Sequence, residues 1–188
     1  MKRNKRFLAA SIFAVIFPLA SQAETLNIDF TATVLATTCN MTIAALDGSS
    51  ISGDDTSGYK LTMGDIGMDK IINKSAESQK IFKFVASNCA GSLTSITTAL
   101  ATSASASGNF IKNESTATGA ATNVGMGFKR KSTSDETYLT PGSGSITWTT
   151  EERTNNAVEM TVALRELTNG AGTIGAFSSK ATFTFTYQ

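Results

Sequence analysis

The chain has 188 residues, enough for one domain or at most two small ones, and its 16 Lys+Arg against 15 Asp+Glu leave a formal charge of +1. Histidine is absent and only two cysteines occur, which excludes His-based acid–base and nucleophilic catalysis and every four-thiolate metal site. Charged residues make up 16%, under the roughly 25% of an ordinary soluble domain, and the near-neutral balance argues against a protein built on phosphate attraction.

Residues 1–6 are basic, residues 7–20 form an apolar run broken only by Ser11 and Pro18, and Ser21-Gln-Ala23 supplies small residues at the −3 and −1 positions. This is the pattern of a secretory signal peptide cleaved after Ala23. An uncleaved anchor is the competing reading, but the run falls short of the roughly 20 residues a span needs. Cleavage leaves 165 residues starting at Glu24 and removes four of the 16 basic residues. Twelve bases then face 15 acids, and the mature charge is −3. A mildly acidic exported chain is a poor partner for nucleic acid. In an oxidising compartment Cys39 and Cys89 are expected to form one disulfide, the alternative being two free thiols.

Beyond the signal the chain reads as strands. Leu26, Ile28, Phe30, Ala32 and Val34 occupy every second position of the first run, with polar residues between them. Residues 69–83 contain apolar positions without a clean 3.6-residue period, and helix signals are otherwise scarce. Strands are predicted over 80–85, 124–128, 146–150, 158–164 and 181–187, the last alternating apolar or aromatic residues with Thr. Turns are predicted over 47–58, 88–92, 141–145 and 168–175. The Ala/Ser/Thr-rich segment 92–122 reads as one strand plus a long flexible loop whose elements the pattern does not place. Short antiparallel strands with one disulfide behind an export signal point to a β-sandwich.

Several chemical motifs fail on context. Gly170-Ala-Gly172-Thr-Ile-Gly175 matches a dinucleotide fingerprint but is followed by a β pattern rather than a helix, and reads as a hairpin loop. Asp47, Asp54 and Asp55 lack the spacing of a calcium loop. Lys129-Arg130-Lys131 reads as a solvated hairpin. Glu151-Glu152 and Asp135-Glu136 would point to opposite faces if they lie in strands, a poor geometry for shared acid–base work. The sequons at Asn40, Asn73 and Asn113 matter only in a glycosylating host. No cofactor or metal is expected, and an enzyme is the weakest reading.

The two ends carry the informative features. Residues 24–34 form an alternating strand with nothing ahead of it, and Phe177, Phe183, Phe185 and Tyr187 are four of the twelve aromatics left after cleavage. So apolar a final strand needs a covering partner. Either the two strands pair within one molecule, or the N-terminal strand serves another molecule by strand addition.

These features resemble the pilin subunits of chaperone–usher fimbriae. The N-terminal extension matches in register, with Ala32 at the small fourth pocket position where glycine is the commoner residue. Cys39 and Cys89 match the family's cysteine spacing. Tyr187 is penultimate and Gly175 stands fourteen places from the end, with Phe177, Ala181, Phe183 and Phe185 between. The resemblance implies an incomplete immunoglobulin-like β-sandwich, residues 36–188, that lacks its last strand. A periplasmic chaperone would first fill the resulting groove along Gly175 to Tyr187. At the outer-membrane usher, the extension of a neighbouring subunit, residues 24–35, would replace it. The subunit would thus be exported through the periplasm to the cell surface. The short reach from Glu24 to Cys39 resembles minor or tip-proximal subunits of type 1-like fimbriae. The alternative function is direct adhesion to a host receptor, a glycan or protein, through loops such as 47–58 or 92–122. Tyr59, Tyr138 or Trp148 would then be exposed.

Overall fold

The computed structural model describes residues 38–188 apart from 48–49, 102–104 and 134–135. The signal segment and the extension with Leu26, Ile28, Phe30, Ala32 and Val34 lie outside the described residues. Eleven strands are arranged in antiparallel sheets: β1 Asn40–Ala45, β2 Ser50–Asp54, β3 Gly58–Thr62, β4 Gln79–Ser87, β5 Ile96–Leu100, β6 Ala106–Ser107, β7 Phe110–Lys112, β8 Val124–Arg130, β9 Ser145–Thr147, β10 Ala157–Glu166 and β11 Phe183–Tyr187. One sheet runs β1-β4-β10-β8-β7-β6, a second runs β11-β5-β9, and β2 and β3 form a separate hairpin. Two short α-helices, α1 Met68–Ile72 and α2 Thr150–Thr154, and one turn of 3-10 helix, Ala76–Ser78, complete the described chain.

Period-2 alternation places the core. Phe82, Phe84 and Ala86 of β4, Val158, Met160 and Val162 of β10, and Phe128 of β8 face inward from the large sheet. Ile96 and Leu100 of β5 face them from the small sheet, with Trp148 between, and the edge strand β11 lays Phe183 and Phe185 against Phe84. Two sheets enclosing one apolar layer make a β-sandwich. The Trp148 indole is 1% exposed and donates to Thr98 Oγ1 at 2.9 Å, so its single polar atom is satisfied inside the core.

The outer face of the large sheet is also covered. Gly127 on β8 has no Cβ, and the rings of Phe110 and Tyr138 lie where one would project. Arg165, 2% exposed, donates from Nε and Nη2 to the Glu136 carboxylate at 2.7 and 3.0 Å and from Nη1 to Ser78 Oγ at 2.8 Å. The Arg165 guanidinium holds the Glu136 carboxyl below its usual range, and burial pushes the Tyr138 phenol up.

Several expectations are corrected. The run 146–150 is not one strand: β9 ends at Thr147 and α2 starts at Thr150. The cause is a capping box: Thr149 Oγ1 accepts from Glu152 N while the Glu152 carboxylate accepts from Thr149 N. Glu151 and Glu152 therefore lie on a helix, where Glu152 also takes Arg130. The predicted turn 47–58 contains β2; among the described residues the chain turns at Asp47 and again at 55–57, the latter around the Asp54 carboxylate that accepts from Thr56 N and Ser57 N. The basic run is not a solvated hairpin throughout, since Lys129 is 6% exposed and donates to Thr133 O. Segment 92–122 holds three strands, β5 to β7, and segment 69–83 holds most of α1 and the start of β4.

Candidate functional site

The site is a groove at one edge of the sandwich, about 790 Å³ in volume. Its floor is apolar: Phe82, Phe128 and Val162 toward one end, and Val124, Met126 and Leu164 toward the other. One wall is the hairpin β2–β3 with the segment after it, contributing Ile51, Tyr59, Leu61, Met63 and Ile66. The other wall is the C-terminal chain, contributing Ile174, Gly175, Phe177, Ala181 and Phe183. Ile174 at the rim is 82% exposed, an apolar side chain with solvent on most sides. The groove thus gathers four of the six residues expected from sequence along this wall, and Phe185 and Tyr187 continue the same line on β11. Ala181 lines the groove although the strand itself starts two residues later, at Phe183.

The main chain of β11 supplies the second feature. Ser95 and Gln188 exchange both their bonds, at 2.9 and 3.0 Å, and Ala101 N donates to Thr182 O at 2.9 Å. In an antiparallel pair the bonded residues alternate, so Thr184 and Thr186 also turn their N–H and C=O groups toward β5. Those of Phe183, Phe185 and Tyr187 face the opposite way, along the edge of the sheet. Among the described residues no strand pairs with that edge. Apolar side chains pointing into a groove beside a row of edge-facing N–H and C=O groups form a template for one more strand.

The two ends of the wall are tied down differently. At the far end the Tyr187 hydroxyl donates to Cys39 O at 3.3 Å, and burial pushes its phenol up. Cys39 is bonded to Cys89, so the expected disulfide forms. It links the start of β1 to the turn after β4. At the near end Gly175, φ +147°, sits against the backbone of 119–121, so close that a Cβ would strike the Gly119 carbonyl oxygen. That close approach explains why this position takes glycine.

Among the described residues no group of three or more His, Cys, Asp or Glu side chains is placed to hold a metal ion. Asp54 is occupied by its own turn, and Asp47 Oδ2 accepts from Ile81 N. The Gly170–Gly175 loop is used internally: Gly170 N and Gly172 N both donate to the Glu166 carboxylate, so the one anion it holds is the chain's own. Of the aromatics an adhesive surface would expose, Trp148 and Tyr138 are buried and Tyr59 lines the groove. Sequence reasoning missed Asn113, whose amide carries four hydrogen bonds in the near end of the wall. Its only sequence signal was an unrelated sequon.

The architecture is that of a pilus subunit. It superposes on the crystal structure of the P pilus rod subunit PapA with a TM-score of 0.54 over 86% of this chain and 99% of that one, at 14% identity. At the sequence level, residues 28–188 match the fimbrial protein family. The chain is 44% identical to the uncharacterized fimbrial-like protein YadM of Escherichia coli (strain K12), over 88% of each. The chain belongs to the fimbrial protein family: it is a structural pilus subunit, not an enzyme, exported to the cell surface as part of a fimbrium and associating with other fimbrial subunits.

Proposed function

We propose that this subunit polymerises by donor-strand exchange. The observation that carries the reading is the edge of β11: side chains of Phe183, Phe185 and Tyr187 face inward while their backbone N–H and C=O groups face outward beside an apolar groove. One added strand satisfies both. In this reading a periplasmic chaperone lends that strand during export, and at the outer-membrane usher the extension of a neighbouring subunit replaces it. The domain is then residues 36–188, and its own residues 24–35 serve a different neighbour through Leu26, Ile28, Phe30, Ala32 and Val34. Fully burying the four bulky ones contributes about 6–12 kcal/mol, before the cost of ordering the extension. Groove and donor on one chain serve different neighbouring subunits, so the contact is head-to-tail and grows a filament. Adhesion is then a property of the assembled fimbrium, in which this chain takes a minor or tip-proximal place.

Phe30→Asp tests it. The charge damages only the donor, so the variant is expected to bind the chaperone normally and to fail as a donor in assembly. Equal loss of both would mean that the N-terminal strand belongs to the subunit's own core, and the reading would fall.

A further inference from the structure

We propose that Asn113 is the positioning residue that holds the groove's near wall ready for an incoming strand, an inference that rests on the strand-accepting reading above. The wall before β11 has no regular ladder. Residues 173–179 are held beside residues 112–122 by scattered contacts: Thr173 N to Thr122 O, Ala121 N to Ala176 O, Glu114 N to Ser178 O, and Ser179 Oγ to Lys112 O. Asn113 ties the two segments together. Its Nδ2 donates to Ala121 O at 2.7 Å and to Ala176 O at 2.8 Å, and its Oδ1 accepts from Ser115 N at 3.0 Å and Ser178 N at 2.9 Å. Both donors and both lone-pair sites of the amide are used.

Two of these bonds fold the loop 113–121 and two grip the wall on either side of Phe177. Gly175 rests on that same loop at Gly119 and Ala121, so the loop's shape sets the wall's position. Phe177, between the gripped residues, faces the groove and packs on the cluster of Ile71, Ala121, Val124 and Leu164. No other side-chain type fits as well. Aspartate at pH 7 has no donor, glutamine adds a methylene, and serine is too short to span four partners. A site ordered only part of the time binds with affinity reduced by that fraction, so pinning the wall in advance is a gain in strand uptake.

The test uses the chain from Glu24 carrying Phe30→Asp, so that its own extension cannot act as donor. The probe is a fluorescein-labelled synthetic peptide of residues 24–36 with the natural Phe30. Uptake is followed by anisotropy, with thermal unfolding measured in parallel. Asn113→Ala is expected to slow uptake and weaken binding about tenfold. Asn113→Asp keeps both accepting bonds but sets an ionised oxygen against two carbonyls, so at pH 7 it falls at least as far. Below about pH 4 the carboxyl protonates and regains one donor. Uptake by the Asp variant, relative to the parent at the same pH, is then expected to recover, while that of the Ala variant is not. Thr140→Ala breaks a hydrogen bond to Asn109 away from the groove and is expected to lower the melting temperature without changing uptake. Unchanged uptake in Asn113→Ala, or no recovery of the Asp variant in acid, overturns the inference. Failure of the parent to take up peptide refutes the strand-accepting reading itself.

Discussion

Phe183→Ala separates what the groove wall does for the subunit from what it does for a partner. The Phe183 ring meets Phe84 at 4.9 Å and Phe128 at 5.0 Å between centroids, both edge-on. Such pairs contribute about 0.5–1.5 kcal/mol each beyond the area they bury. The ring is half-buried in the free chain, so truncation costs about 2 kcal/mol there, less than the ~3–5 kcal/mol of a fully buried phenylalanine. That lowers the melting temperature by about 4–8 °C. A strand laid in the groove completes the burial, and the cost in the complex rises to the full range. The difference, about 1–3 kcal/mol, is lost affinity, a Kd for the 24–36 peptide weaker by about 5- to 150-fold. Calorimetric unfolding of the free chain and titration with peptide give both numbers. Phe183→Leu, which keeps most of the volume, recovers much of each. A lower melting temperature with an unchanged Kd would refute the reasoning, because the incoming strand would then not lie on that ring.

Replacing Cys39 and Cys89 together by serine opens a loop with a separation of 50 residues and is expected to cost about 4 kcal/mol, read as a lower urea midpoint; an unchanged midpoint contradicts it. Arg165 lowers the Glu136 carboxyl below 4.5, so its contribution is present above that ordinary value and lost as pH falls through the lowered one. Glu136→Gln should flatten that acid limb of melting temperature measured between pH 6 and 3, and an unaltered limb would show that other carboxylates carry it. Gly175→Ala places a Cβ on the Gly119 carbonyl oxygen and 2.6 Å from Ala121 N at φ +147°. The backbone strain alone costs about 1–3 kcal/mol, so a melting temperature equal to the parent's would mean that the wall is looser than its geometry shows.

The legible part of the fold was whatever period 2 encodes. β4, β8, β10 and β11 show apolar faces in sequence because each has one side on the core, and the C-terminal wall was legible for the same reason. Residues 47–58 hid β2 because Ser, Gly and Asp dominate both turns and exposed strands, and 92–122 hid its strands among small Ala, Ser and Thr residues, although β5 lies between β11 and β9 with Ile96, Thr98 and Leu100 buried. The helix α2 was announced by Thr149 and Glu152, but the apolar Ile146 and Trp148 before it extended the β pattern across its start. Lys129 looked solvated because sequence does not show that its ammonium turns back to Thr133 O and lies over the Tyr138 ring on the outer face. Asn113 was illegible for a deeper reason. Its partners, at 115, 121, 176 and 178, meet only after the chain has closed the sandwich.

The central claim is that β11 takes one more strand along its outer edge. Residue-resolved amide exchange on the chain carrying Phe30→Asp, with and without the 24–36 peptide, addresses it most directly. The account predicts that peptide slows the amides of Phe183, Phe185 and Tyr187 at least tenfold, because their N–H groups face that edge. Those of Thr184 and Thr186, already turned to β5, should change far less. Protection that leaves the three odd-numbered amides untouched would contradict it.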